Sequence, residues 1–169
     1  MNTSKIAFLS VFAAFIVVGR LSFQFLPNIQ PVTVMLICLA IYAGTRSAIL
    51  LAIISTYVSN IFLGLGIWTI WQIAGWALIS LIAGLLAHQL KRTNVYIFAI
   101  YCGLMAYVYG IVIQIGTFSY TGNFVGYYLA SLPFDTLHAI GNIGFAIILG
   151  PILKRILPQY FAQDNSSIK

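Results

Sequence analysis

"PVTVMLICLAIYAGTRSAILLAIISTYVSNIF", residues 31–62, is the stretch on which the architecture turns. It is almost continuously apolar, and as one helix it would far exceed the roughly 20 residues that cross a bilayer. The polar break "GTRS" at Gly44–Ser47 divides it. A tight hairpin there predicts two shorter helices, Pro31–Ala43 and Ser47–Leu63. The first of these is marginal for a full crossing.

The same cutting at polar punctuation works outward along the chain. An apolar run over residues 5–25 ends at "LPNIQP", and "GLGIWT" precedes a helix expected over 69–88. "QLKRTN" separates that helix from one over 95–118. Residues 119–130, richer in Gly, Tyr and Asn, read as a loop with room for a short interfacial helix. Ser131 then serves as the N-cap of a last helix over 131–156, with Pro133 in its first turn. The polar end "QDNSSIK" is expected to be disordered. The outcome is one all-α, six-helix transmembrane domain over residues 1–169.

Composition supports the membrane as solvent. The chain is 62% hydrophobic and 6% charged, with a mean hydropathy of +1.03, whereas soluble domains are about a quarter charged. Lys5, Arg46, Lys91, Arg92, Lys154 and Arg155 all fall on one side if there are six crossings. The opposite loops hold no Lys or Arg. The positive-inside rule then places both termini in the cytoplasm. The net charge of +6 is explained by topology and calls for no nucleic-acid partner. No cleavable signal peptide is expected, because the first run lacks a small-residue cleavage site.

Two charges lie inside the apolar segments. Arg20 sits within the first helix, and Asp135 begins "PFDTLHAIGN" near the start of the last. Intramembrane charges are costly and face an interior or a wet cavity. An Arg20–Asp135 pair on a cavity wall is the expectation. The alternative is that Arg20 snorkels to the headgroups while Asp135 favours a helix N-terminus. Asp135, His138 and Asn142 share one helical face by their spacing. For His138, an interhelical hydrogen bond and direct ligand contact both stay open. No set of three or four metal ligands can be assembled, and Cys38 and Cys102 read as small core residues.

Trp68, Trp71, Trp76 and Gln72 gather at the outer start of the fourth helix. Each tryptophan alone suits an interfacial belt. Together with Asn28, Gln30, Asn60, Tyr120, Tyr127 and Tyr128 they describe a pocket for a bulky, partly polar molecule. An ion pathway would need more charge. On the first helix, Ser10, Ala13 and Ala14 would let another helix approach closely. Packing within the bundle and docking of an outside helix are both compatible with that spacing. Catalysis is not expected, since there is no nucleophilic triad, no glutamate and no phosphate loop.

The chain resembles the substrate-binding S components of energy-coupling factor transporters, ATP-driven vitamin importers of prokaryotes. The resemblance covers essentially the whole chain and rests on the six-helix layout, the basic loops, the small-residue patch and "LPFD". "GR" at 19–20, "PNIQPVT" at 27–33, "WTIWQ" at 68–72 and "PFDTLHAIGN" at 133–142 look like the branch associated with cobalamin. It implies high-affinity vitamin capture near the outer surface of the prokaryotic plasma membrane, with no permanently bound cofactor. Arg20, Asn28, Gln30, Asn60, Trp68, Trp71, Gln72, Asp135, His138 and Asn142 would then bind substrate. It further implies docking, through Ser10, Ala13 and Ala14, on a membrane scaffold subunit with two ATPase subunits that hydrolyse the ATP. The family's alanine pair appears here with Ser10 in the first place. Toppling within the bilayer would deliver the ligand. Related branches carry riboflavin, queuosine precursors or pantothenate. A stand-alone facilitator, or an enzyme using Asp135 and His138 as an acid–base pair, is the rival expectation.

Overall fold

The computed structural model describes residues 3–161, so "QDNSSIK" lies outside the described residues. Seven helices follow one another: α1 (Thr3–Ser22), α2 (Val32–Ala43), α3 (Thr45–Leu63), α4 (Trp68–Leu85), α5 (Ala87–Arg92), α6 (Val95–Thr121) and α7 (Phe124–Phe161). No strand occurs among the described residues. α1, α3, α4, α6 and α7 are long and apolar enough to cross a membrane, whereas α2 is apolar but shorter. The protein is an all-helical membrane protein by these criteria.

α2 is the axis of the bundle. Val32 through Ile41 are all buried, as suits a helix that is apolar all round. It is about 18 Å long at 1.5 Å per residue, short of a hydrocarbon core of about 30 Å. α3, α4 and α7 pack around it, and α7 runs along α6. Ile16, Leu36, Ile37, Leu39, Leu51 and Ile79 fill the interior. Cys38 and Cys102 are buried free thiols within it. Outward faces carry residues such as Phe15, Ile70, Leu104 and Ile148, which a lipid environment tolerates as water would not.

Turn chemistry explains where the helices end. Gly44 alone separates α2 from α3, at φ 92°, a conformation that glycine adopts without a Cβ penalty. The break is therefore tighter than "GTRS" suggests, and α3 starts at Thr45 rather than Ser47. Near the fourth helix, α4 stops at Leu85 and a separate turn of helix, α5, includes His88.

The expected loop over 119–130 is overturned. α6 continues to Thr121, and Gly122 closes it in the left-handed conformation, its N–H donating to the Phe118 carbonyl. Asn123 follows at once and accepts from the Gly126 N–H at 3.0 Å. A helix stop and a helix start thus occupy adjacent residues, leaving no room for a loop. α7 begins seven residues earlier than expected, and Ser131 is not its N-cap. The Ser131 hydroxyl instead bonds the Tyr128 carbonyl and Asp135 Oδ2, and Pro133 lies inside the helix.

Aromatic contacts show which helix ends lie together. Phe8 of α1 stacks on Tyr160 of α7 at 4.3 Å, and Lys91 lies over the Tyr42 ring at 5.6 Å. A Cβ on Gly84 of α4 would strike Thr45 of α3. Lys5, Arg46, Lys91, Arg92, Lys154 and Arg155 therefore gather at one end of the bundle. At the other end the Asn28 amide donates to the Phe134 carbonyl at 3.3 Å, tying the α1–α2 connection to α7.

Candidate functional site

The half of the bundle away from the cations holds a connected set of buried polar side chains. Trp76 of α4 is its centre, 3% exposed. The Arg20 guanidinium of α1 lies over its ring, 4.8 Å from the centroid. Arg20 Nη1 donates to Ser59 Oγ of α3 at 2.8 Å, and Nη2 donates to Gln72 Oε1 of α4 at 3.0 Å. The same Gln72 oxygen accepts from Asn60 Nδ2 at 2.8 Å, and Asn60 also donates to Thr69 Oγ1 at 2.8 Å.

On the far side of Trp76 the network runs into α2 and α7. Its indole N–H donates to Thr33 Oγ1 at 3.1 Å, and Thr33 Oγ1 lies 2.9 Å from His138 Nε2. Tyr109 of α6 closes the group, 4.8 Å from the Trp76 ring and edge-on to His138 at 5.3 Å. Gly75 makes the first contact possible, because a Cβ there would collide with the Tyr109 ring. Six helices each contribute a side chain to this one cluster.

The structure corrects the expected Arg20–Asp135 pair. Arg20 makes no ion pair among the described residues; its partners are Ser59, Gln72 and the Trp76 face. Asp135 instead has its carboxylate against Gly110 of α6 and hydrogen-bonded to Ser131 at 3.2 Å. The physical reason is rotational. Arg20 projects toward α3 and α4, whereas the Asp135 carboxylate of α7 faces α6.

That stripe is otherwise as spaced: Asp135, His138 and Asn142 are all buried. Asn142 Nδ2 donates to the Cys102 carbonyl at 3.1 Å. Of the three, His138 is the member bonded into the α2–α4 network. Trp71 packs its ring against Gly116, filling the place a Cβ would take. Other expected residues lie outside the buried cluster. Trp68 is half-exposed and folds back over Gly66. Asn28 is exposed on the loop, and Gln30 is half-buried beside it. Tyr120 and Tyr127 are also exposed.

Thr33, Ser59, Thr69, Tyr109 and Gln114 belong to the buried polar set without having been expected there. Thr33 and Ser59 are single hydroxyls in apolar helices, which carry no sequence signal of their own. Trp76 was visible as one of three clustered tryptophans, but Trp68 and Trp71 were the two expected to bind substrate and Trp76 was left out.

Several buried polar atoms of this region have no partner: Arg20 Nε, His138 Nδ1, Asn142 Oδ1, Gln114 Oε1 and Thr56 Oγ1. Buried polar groups are ordinarily hydrogen-bonded, and each exception calls for a reason. The orphans include a guanidinium N–H donor and two amide oxygen acceptors, a mixed set that an amide-bearing or carboxylate-bearing molecule could satisfy. No cluster of three or more His, Cys, Asp or Glu suited to a metal occurs among the described residues. No protein-family model, curated protein or solved structure matches the chain.

Proposed function

We propose that this protein is the vitamin-capturing S component of an energy-coupling factor importer, with cobalamin or a related corrinoid as its ligand. The observation that carries the reading is the Arg20 guanidinium, with no acidic partner among the described residues and its Nε unbonded, in a six-helix polar cluster, with further orphaned donors and acceptors among the buried polar side chains. A purely structural core would not be expected to leave so many polar atoms unsatisfied, since each costs about 1–3 kcal/mol. A ligand with peripheral amides offers both donors and acceptors, and the half-buried Trp71 ring offers flat apolar area.

In this proposal the chain crosses the prokaryotic plasma membrane six times, with α2 as a short, protein-enclosed crossing. The cationic end is cytoplasmic and the polar cluster lies toward the outer surface. Ser10 and Ala14 lie on the exposed face of α1, beside exposed Val11 and Val18, while Ala13 is buried. That face would receive the scaffold subunit through Ser10 and Ala14, and Ala13 belongs to the bundle. ATP would be hydrolysed by two partner subunits, and the chain itself would be no enzyme.

The test is to purify the protein in detergent from cells grown with cobalamin, and to record absorbance and the mass spectrum of what is released on denaturation. A stoichiometric corrinoid supports the reading. A flavin or another vitamin keeps the S-component role but removes the cobalamin assignment. Sustained uphill uptake by the protein alone in liposomes would overturn the S-component role itself.

A further inference from the structure

A separate cavity of about 240 Å³ lies at the cationic end, remote from the polar cluster. Its walls come from α2, from the junction of α5 and α6, and from α7; Cys38, Tyr42, Phe98, Gly150, Pro151 and Lys154 are among its lining residues. Gly150 keeps it open, because a Cβ there would come within 3.3 Å of the Phe98 ring. The interior is apolar, and the rim is cationic. Lys154 lines the cavity, and Lys91 lies over Tyr42, another of its walls.

Among the described residues this charge has no counter-ion. Asp135, the one acidic residue among the described residues, sits among α6 and α7 residues of the opposite half. Lys91, Arg92, Lys154 and Arg155 are all exposed. An apolar hollow beside two lysines with no acidic partner among the described residues complements an amphiphile with an anionic head and a hydrocarbon tail. The volume is below the roughly 300–1,000 Å³ of drug-sized pockets, so it suits a length of acyl chain rather than a whole ligand. Basic pockets between membrane helices are established sites for anionic lipid headgroups.

We propose that the cavity holds one anionic phospholipid of the adjoining leaflet, its phosphate between Lys91 and Lys154 and part of an acyl chain against Phe98 and Pro151. The lipid would bridge the end of the short α2 to the start of α6 and the end of α7. The site depends on the protein being in a membrane, and not on which molecule the polar cluster binds.

The test uses the full chain in detergent, mixed with equimolar dioleoyl phosphatidylglycerol and dioleoyl phosphatidylcholine and observed by native mass spectrometry. The expected result is one retained phosphatidylglycerol, preferred roughly tenfold or more. The double variant K91Q/K154Q loses that preference, whereas R46Q/R155Q, which alters the same end away from the cavity, keeps it. All four positions are exposed or half-exposed, and circular dichroism confirms the folding of each variant; K154Q alone serves if the double variant does not fold. Equal retention of both lipids by the unaltered protein overturns the proposal. So does equal loss in the two double variants, which would mean diffuse surface charge. Displacement of the lipid by millimolar glycerol 3-phosphate overturns it too, since a free anion would then suffice.

Discussion

The Arg20 guanidinium lies over the face of Trp76, 4.8 Å from the ring centroid, and the Trp76 N–H points away from it to Thr33. One indole thus serves two interactions in orthogonal directions: its π face meets a cation and its edge donates a hydrogen bond. Because the cation has no acidic partner among the described residues, the tryptophan and two neutral side chains are what stabilise it.

Replacing Arg20 separates folding from binding. In Arg20→Met, Gln72 Oε1 still accepts from Asn60, and the Ser59 hydroxyl still donates to the Thr56 carbonyl. The substitution leaves those groups satisfied and removes a buried charge, so thermal unfolding in detergent should shift little or move upward. Ligand retention should fall by about tenfold or more, as expected for loss of a charged hydrogen-bonding partner of about 1.5–3 kcal/mol. Unchanged retention would remove Arg20 from the site. Arg20→Lys should not rescue it, because a single ammonium cannot reach Ser59 and Gln72 while also stacking on Trp76.

Thr33→Val should be costly despite its similar shape. It strands the Trp76 N–H and His138 Nε2 together, each a loss of about 1–3 kcal/mol. A fall in Tm well beyond that of Thr136→Val, whose hydroxyl is on an exposed residue, is the expected measurement. Equal shifts in the two variants would show that the buried relay contributes nothing.

The Thr33 hydroxyl also has a consequence for His138. With Trp76 donating to Thr33 Oγ1, the hydroxyl proton is free for His138 Nε2, and Nδ1 then carries the ring proton as the unpaired donor. Nitrogen-15 NMR of labelled protein should report the Nδ1–H tautomer. Observation of Nε2–H would reverse the direction of the relay.

Gly110→Ala places a methyl group against the Asp135 carboxylate, and Gly75→Ala places one against the Tyr109 ring. Each should destabilise by about 1–3 kcal/mol, the usual range for overpacking. Gly144→Ala, where a Cβ meets nothing within 4 Å, is the control and should be neutral or stabilising. A neutral Gly110→Ala would mean that α6 and α7 are less closely apposed than described.

The outward face of α1 gives a prediction about assembly. Ser10→Leu and Ala14→Leu alter exposed positions, whereas Ala13→Leu alters a buried one. The first two should fold normally and lose co-purification with a scaffold subunit, while Ala13→Leu should lower Tm. Intact co-purification of both outward variants would remove this face from docking.

Much of this was legible before any coordinates. The apolar runs marked the long helices, because a bilayer leaves few ways to satisfy a buried backbone other than helices, but the short α5 after α4 was not among the six expected. "GTRS" marked the α2–α3 turn, and the spacing of Asp135, His138 and Asn142 put them on one buried face. The misreading of 119–130 has a specific cause. Gly, Tyr and Asn suggested a loop by composition, but only Gly122 and Asn123 act as breakers, and the tyrosines continue helices on either side. The single hydroxyls of Thr33 and Ser59 gave no warning, because a lone Thr or Ser in an apolar helix ordinarily bonds its own backbone.

By itself the sequence determined the solvent, the helical class and the segregation of Lys and Arg to one end, all of which follow from local composition and period. Tertiary structure alone decided that Arg20 turns to Ser59, Gln72 and Trp76 rather than to Asp135. Partner choice depends on the relative rotation of helices packed around α2, and that rotation is set by contacts such as Gly75 on Tyr109 and Gly110 on Asp135. Such contacts join residues far apart in the chain, where no local pattern records them.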